Sequence, residues 1–170
     1  MPLDLVEKIL ADLASHRNDE SGVVSLSMRN IYTAHYGEVL LYRYLEEFLE
    51  LLRKYNFTTT IFSNGINLTP KKIDMIKSNK DVISEIILNI PSFEPETWAS
   101  RSGLHVNQYD RLIANLEYAD TELADFDNLI ILINGVDDKV WDNDIHRGEE
   151  LNNLQIDMHP VKGERFQAYK

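Results

Sequence analysis

The chain has 170 residues with 44% hydrophobic and 26% charged side chains, a balance typical of a globular protein with a single core, and we treat residues 1–170 as one domain. Seventeen basic against 28 acidic residues give a net charge of −11, which repels phosphate backbones and argues against a nucleic-acid partner. The absence of cysteine excludes disulfide bonds and thiolate-ligated zinc or iron–sulfur sites within these residues.

The first half of the chain predicts two helices and two strands. Apolar residues at steps of three and four predict an amphipathic helix at about 3–15. A short strand at 23–28 follows, and then a helix whose apolar face runs from Leu41 to Tyr55. β-Branched and aromatic residues predict a strand at 57–62, ended by Ser63-Asn64-Gly65.

The second half continues the same alternation. Thr69 and Pro70 predict the N-cap and the first turn of a short helix. The apolar run at 83–90 predicts a parallel strand covered on both faces. The remaining predicted elements are a helix around 109–116, strands at 128–133 and 154–158, and a loop-rich segment at 137–150.

This alternation of helices and strands predicts an α/β fold with a parallel sheet and right-handed crossovers. A doubly wound sheet and a partial barrel both satisfy the pattern. In either architecture, ligands bind at the carboxyl ends of the strands. The residues predicted there are Tyr36-Gly37-Glu38, Ser63-Asn64-Gly65, 89–92, Asn134-Gly135 and His159-Pro160.

The charged and polar residues at these ends have competing interpretations. Glu38 either accepts hydrogen bonds from a ligand ammonium or hydroxyl, or is a first-turn residue that the helix dipole favours. Asn64-Gly65, taken alone, indicates a turn. Arg101, in a polar loop before the helix near residue 107, either grips a carboxylate or is an unpaired surface arginine. The five histidines lack the spacing of a metal site, so we predict no metal.

The first residues, the apolar runs and the lysines indicate the cellular location of the chain and one solvent-facing surface. The first residues lack the basic region of a secretory signal, and no apolar run approaches the roughly 20 residues that span a bilayer. We therefore expect a cytoplasmic protein with no membrane partner. The densest basic cluster is interleaved with Asp74 and Asp81, which indicates a solvated helix face; its members are Lys71, Lys72, Lys77 and Lys80.

Three runs of residues at or after the strand ends carry a family resemblance through their order and spacing. They are Tyr36-Gly37-Glu38-Val39-Leu40-Leu41, Phe62-Ser63-Asn64-Gly65, and 86–92 followed by Pro95-Glu96-Thr97-Trp98 and Arg101-Ser102-Gly103. Together they resemble the radical S-adenosylmethionine (radical SAM) superfamily over about residues 3–136. The first run is similar to that family's Gly-Gly-Glu-Pro-Leu-Leu segment, the second to its Thr-Asn-Gly segment, and the third to a strand, a helix and an arginine–glycine turn.

The resemblance implies a partial (βα) barrel with about five parallel strands in this chain and flanking helices, and S-adenosylmethionine as a small-molecule cofactor. In the superfamily, a Cys-x-x-x-Cys-x-x-Cys loop after the first strand holds a 4Fe–4S cluster, and reduction cleaves the cofactor to a 5′-deoxyadenosyl radical. By resemblance, Gly37 and Glu38 contact the methionine ammonium, and Asn64 belongs to the same pocket wall. Asn89 or Ser92 would lie near the ribose and Arg101 near the carboxylate.

The chain departs from the family at three points. Tyr36 stands in place of the first glycine, Val39 replaces the proline, and the cysteine loop is absent. We therefore expect either a fragment of a longer enzyme, inactive as it stands, or a homologue that has lost its cluster, and we favour the fragment. A 4Fe–4S cluster is expected only if a longer protein supplies the loop. Without the family's first strand, residues 23–28 would form an open sheet edge, which predicts a homodimer.

Three functions compete at this point. The first is the core of a radical SAM enzyme, and the second is a non-catalytic binding or interaction module that keeps the fold. The third is an unrelated doubly wound domain that binds a nucleotide. A switch in strand order would favour the third function over the other two.

Overall fold

A computed structural model describes residues 1–16, 29–33, 37–126, 129–134 and 155–159 of the chain, the last two ranges as backbone only. The helices are α1 (Leu3–Ser15), α2 (Leu45–Lys54), α3 (Pro70–Ser78), α4 (Pro95–Ser102) and α5 (Tyr109–Glu122), with 3₁₀ helices at Val39–Leu41 and Val106–Gln108. The strands are β1 (Asn30–Tyr32), β2 (Thr58–Ser63), β3 (Ile83–Asn89), β4 (Leu129–Asn134) and β5 (Gln155–His159).

The strands form one sheet in the order β1-β2-β3-β4-β5, and all four pairings are parallel. Helices connect β1 to β2, β2 to β3 and β3 to β4, because parallel neighbours need a crossover to return the chain to the same end of the sheet. The predicted α/β fold with a parallel sheet is therefore confirmed. The sequential order among these strands lacks the switch that defines a doubly wound sheet, so it does not favour the nucleotide-binding alternative.

Most predicted elements lie where local sequence signals place them. The β-branched run of β2 forms the strand from Thr58 onwards, and α3 begins at Pro70 with its pre-set helical φ. Thr69 occupies the N-cap of α3, although its side chain makes no capping hydrogen bond. None of the helices in the described ranges is long and apolar enough to cross a membrane.

One predicted element needs correction, two lie beyond the described residues, and one strand was missed. The helix predicted from Leu41 begins only at Leu45, because Tyr42 is extended (ψ 118°) and ends a separate 3₁₀ turn. The strand predicted at 23–28 and the loop-rich segment at 137–150 lie outside the described residues. The sequence signals also missed β1, which pairs with β2 at Asn30–Tyr32.

The core lies between one face of the sheet and the helices. Ile61 of β2 and Ile86 and Leu88 of β3 are fully buried on this face. The helices cover them with side chains that are equally inaccessible: Leu49 and Leu52 of α2, Ile73 and Ile76 of α3, Trp98 of α4, and Leu112 and Leu116 of α5. Burial of this apolar surface is the main stabilising term of the fold.

The opposite face of the sheet is more polar and more open. On β3, Glu85 and Ile87 are only half-buried and Asn89 is exposed, so the prediction of a strand covered on both faces is wrong. A register irregularity at Thr59/Thr60 brings neighbouring hydroxyl and amide groups together. Thr60 Oγ1 accepts a hydrogen bond from Asn30 Nδ2 at 2.8 Å, and Ser84 Oγ donates to Asn30 Oδ1 at 2.8 Å.

Ion pairs link α3 and the turn after it to the end of α5 and the turn that follows. Lys77 Nζ lies 2.8 Å from Glu122 Oε2, and Lys80 pairs with Asp125. The two lysines belong to the basic cluster found in the sequence, and their acidic partners fit its interpretation as a solvated helix face. Exposed pairs of this kind contribute little stability each.

Two leucine substitutions test the location of the core. Leu52→Ala, at a side chain with 0% exposure, should lower the free energy of unfolding by about 2–5 kcal/mol through lost burial and a residual cavity. Leu41→Ala, at 67% exposure, should change it by no more than about 0.5 kcal/mol. Urea denaturation followed by circular dichroism measures both values, and equal losses would contradict the described packing.

Candidate functional site

A cleft of about 310 Å³ opens at the carboxyl ends of β1, β2 and β3. Its lining brings together four of the six predicted site residues, Gly37, Glu38, Asn64 and Asn89, with three further residues, Thr33, Phe62 and Ser63. Loops that follow parallel strands converge at this edge of the sheet, which is why residues distant in sequence meet here.

The Glu38 carboxylate joins two parts of the cleft wall. Its Oε1 accepts a hydrogen bond from Leu40 N at 3.2 Å, and its Oε2 accepts one from Asn64 N at 3.0 Å. Glu38 therefore caps the 3₁₀ helix Val39–Leu41, and its interpretation as a first-turn residue of α2 is wrong. An ionised carboxylate has about four lone-pair sites, so Glu38 keeps acceptor capacity for a ligand.

The segment Ser63–Leu68, which we call the cleft turn, is held by its own side chains. Ser63 Oγ accepts a hydrogen bond from Gly65 N at 3.1 Å, and Asn64 Oδ1 accepts one from Ile66 N at 3.1 Å. The prediction that Asn64-Gly65 marks a turn is confirmed. Polar side chains that bond to backbone two residues onward are typical of such turns.

Gly65 has a positive φ of 80° and lies directly against α5. A Cβ atom at this position would come within 2.6 Å of Leu112 Cδ1, a distance that requires Leu112 to move. Glycine is therefore required by conformation and by close packing together.

The sequence analysis missed Thr33, which lines the cleft, and Asn115, which lies behind it. Asn115 of α5 is buried and donates from Nδ2 to Gly65 O at 3.1 Å and to Ile66 O at 3.0 Å. The available signal was an amide within the apolar stripe of α5, where Leu112, Leu116 and Ala119 are fully buried. A polar residue in such a stripe requires partners, but the sequence does not tell which ones.

Ser92 and Arg101 do not line the cleft. Ser92 is fully buried, and its Oγ accepts a hydrogen bond from Glu94 N at 2.9 Å. Arg101 was predicted in a loop, but it lies in the last turn of α4, where its Nη1 donates to Pro91 O at 3.2 Å. Glu94 caps the start of this helix, and Gly103, with a left-handed φ of 71°, ends it two residues after Arg101.

The Glu94 carboxyl at the start of α4 has a strongly lowered pKa. Its carboxylate accepts hydrogen bonds from Glu96 N at 3.2 Å and Thr97 N at 2.6 Å. Hydrogen bonding with Glu96, and then with Thr97, lowers the pKa of the Glu94 carboxyl to about 2. The charged form is thereby stabilised at the positive end of the α4 dipole.

Comparison with known proteins was informative only at the level of structure. No protein-family model matches the chain, and no curated protein matches its sequence. The crystal structure of archaeal TYW1 matches with a TM-score of 0.51 and 19% identity over 88% of this chain. The two chains share a fold. This chain covers 48% of the TYW1 chain, about half its length, and at this identity the likeness concerns the fold alone.

Two glycine substitutions test the packing of the cleft turn. Gly65→Ala and Gly103→Ala both place a side chain at positive φ, which costs about 1–2 kcal/mol. Gly65→Ala must also displace Leu112, whereas nothing lies within 4 Å of a Cβ at Gly103. We expect Gly65→Ala to cost about 1–3 kcal/mol more than Gly103→Ala in urea denaturation; equal costs would show that α5 does not press on the turn.

The cap of α4 should give a pH-dependent contribution to stability. Because the folded pKa of Glu94, about 2, lies below its ordinary value of 4.5, its contribution is complete above pH 4.5 and is lost as the pH falls towards 2. Glu94→Gln should therefore lower stability by about 1 kcal/mol at pH 7, and the difference from the unsubstituted chain should shrink towards pH 2. Glu117→Gln, at an exposed position on α5, is the control. A difference that stays constant across this range would contradict the assignment.

Proposed function

We propose that the chain is a radical-SAM-like domain whose cleft binds the amino-acid end of S-adenosylmethionine. The observation that carries the proposal is the Glu38 carboxylate, which two backbone N–H groups orient in a cleft at the carboxyl ends of the strands. A carboxylate held in this way is a suitable acceptor for an ammonium group.

The fold supports the proposal independently of the residues. Archaeal TYW1, which shares the fold, is a radical SAM enzyme. The sequential, all-parallel order of the strands agrees with the partial (βα) barrel that the sequence resemblance implies. Because the chain spans about half of TYW1, the reaction and the substrate of that enzyme are not transferred to it.

The dimensions and chemistry of the cleft support the same ligand class. A volume of about 310 Å³ lies at the lower end of small-molecule sites and suits the amino-acid end better than the whole cofactor. Gly37, at φ 109°, leaves open space beside Glu38, and Asn89 at the end of β3 lines the same cleft, where the resemblance implies the ribose. The roles implied for Ser92 and Arg101 stay predictions, because neither residue lines the cleft.

The donor set does not fit an iron–sulfur cluster. In the superfamily, the cluster supplies the electron that cleaves the cofactor, and its ligands are cysteine thiolates. This chain has no cysteine, and its described residues contain no group of three or more histidine, aspartate or glutamate side chains that could hold a metal. The proposal is therefore restricted to binding: Glu38 receives the ammonium, and the cleft turn fixes the position of Glu38.

Titration with S-adenosylmethionine, followed by amide NMR, tests the proposal. The signals of Gly37, Asn64 and Asn89 should shift together and saturate, with a dissociation constant in the millimolar range for a ligand held only by its amino-acid end, about −4 kcal/mol. 5′-Deoxyadenosine, which lacks the amino-acid end, should leave Gly37 and Asn64 unchanged. If S-adenosylmethionine moves none of these signals, the proposed function is wrong.

A pair of glutamine substitutions locates the contact. Glu38→Gln removes the negative charge and places an amide beside the Asn64 N–H, so we expect the affinity to fall about tenfold, the usual effect of losing a charge-assisted hydrogen bond. Glu117→Gln makes the same chemical change at an exposed position on α5 and should leave the affinity unchanged. Equal affinities for the two variants would place the ligand elsewhere.

A further inference from the structure

Asn115 is a polar side chain in a place where an apolar one is the default. It is 6% exposed, and Leu112, Leu116 and Ala119 on the same face of α5 are 0% exposed. An amide buried without partners would destabilise the fold. Its presence therefore depends on the hydrogen bonds that it makes.

Those hydrogen bonds reach out of the helix layer to the cleft turn. The Nδ2 group of Asn115 donates to two successive carbonyl groups, Gly65 O at 3.1 Å and Ile66 O at 3.0 Å, which uses both of its protons. Because each carbonyl belongs to a rigid peptide plane, holding two in succession fixes the orientation of the backbone between them.

The opposite side of the same turn holds the Glu38 carboxylate. Asn64, the residue before Gly65, donates its backbone N–H to Glu38 Oε2 at 3.0 Å. Leu112 fills the space beside Gly65, so the Leu112 side chain would have to shift if the turn moved towards α5. Asn115 therefore bonds to the turn from the side of α5. On the other side of the turn, the Asn64 N–H points to Glu38 in the cleft.

We infer that Asn115 is a positioning residue for the cleft: it fixes the cleft turn so that the Asn64 N–H orients the Glu38 carboxylate for ligand. The identity of that ligand rests on the proposed function. Asn115 does not line the cleft, and its effect is transmitted through the backbone of the turn.

Substitution by leucine tests the inference. Asn115→Leu keeps nearly the same size and removes both donors, so the Asn64 amide should lose its protection and exchange with solvent about tenfold faster than in the control. The affinity for S-adenosylmethionine should fall about fivefold in the same variant, the lower end of coupling between sites. Asn115→Gln, which keeps the donor group, should restore part of both properties.

The control separates positioning from a general loss of stability. Leu116→Val removes buried volume from the next position of α5, and no hydrogen bond joins Leu116 to the cleft turn. Its stability loss should accelerate exchange of the core amides of β2 and β3 without a selective effect on Asn64. If Asn115→Leu does not fold, Asn115→Ala deletes the same two bonds with a smaller side chain that has no donor and gives the same comparison.

The outcomes distinguish this inference from the proposed function. If the unsubstituted chain does not bind S-adenosylmethionine, the proposed function fails, and exchange at Asn64 alone decides the role of Asn115. Selective acceleration at Asn64 supports the inference. Exchange at Asn64 that matches the Leu116→Val control overturns it, even if the ligand binds.

Discussion

The bridge from the Glu38 carboxylate to the backbone of Leu40 and Asn64 is the interaction on which the organisation of the cleft depends. The two segments that it joins follow different strands, β1 and β2. The loop after each strand of a parallel sheet is free to adopt its own conformation, because neither takes part in the ladder of hydrogen bonds. A single charged group that accepts from both removes this freedom. It also replaces water as the partner of two N–H groups, so its own position becomes well defined.

The two faces of the sheet have different roles. The helix-covered face carries nearly all of the fully buried apolar side chains, and it supplies the stability. The other face carries hydroxyl, amide and carboxylate groups, from Asn30 and Thr60 to Glu85, and it leads up to the cleft. The cleft turn contacts both the apolar layer and the cleft, since Gly65 lies against Leu112 and Asn64 bonds to Glu38. The shape of the cleft therefore depends on the packing of a helix that does not line it.

Sequence reasoning succeeded where the determining interactions are local. The β-branched run of β2, the proline that opens α3 and the periodicity of α5 act within a few residues, and these elements lie close to where they were predicted. The three residues of β1 have no such pattern. Their extended conformation depends on pairing with β2, which a local signal does not reveal. Strand-end reasoning located Glu38 and Asn64, but not the bond between them. Asn115 was missed because its partner Gly65 lies 50 positions away in the chain. Arg101 was misplaced because the residues after β3 were interpreted as a polar loop, although Glu94 caps the start of α4 and Gly103 ends it.

The contact between Gly65 and α5 has a consequence for how this protein can change during evolution. The space that a side chain at position 65 would need is filled by Leu112, and the carbonyl of the same residue is bonded by Asn115. A mutation at any one of these three positions therefore alters the surroundings of the other two. The cost of a substitution at one position therefore depends on the residues present at the other two. Positions 65, 112 and 115 thus constrain one another, and the shape of the cleft is tied to the packing of the helix behind it.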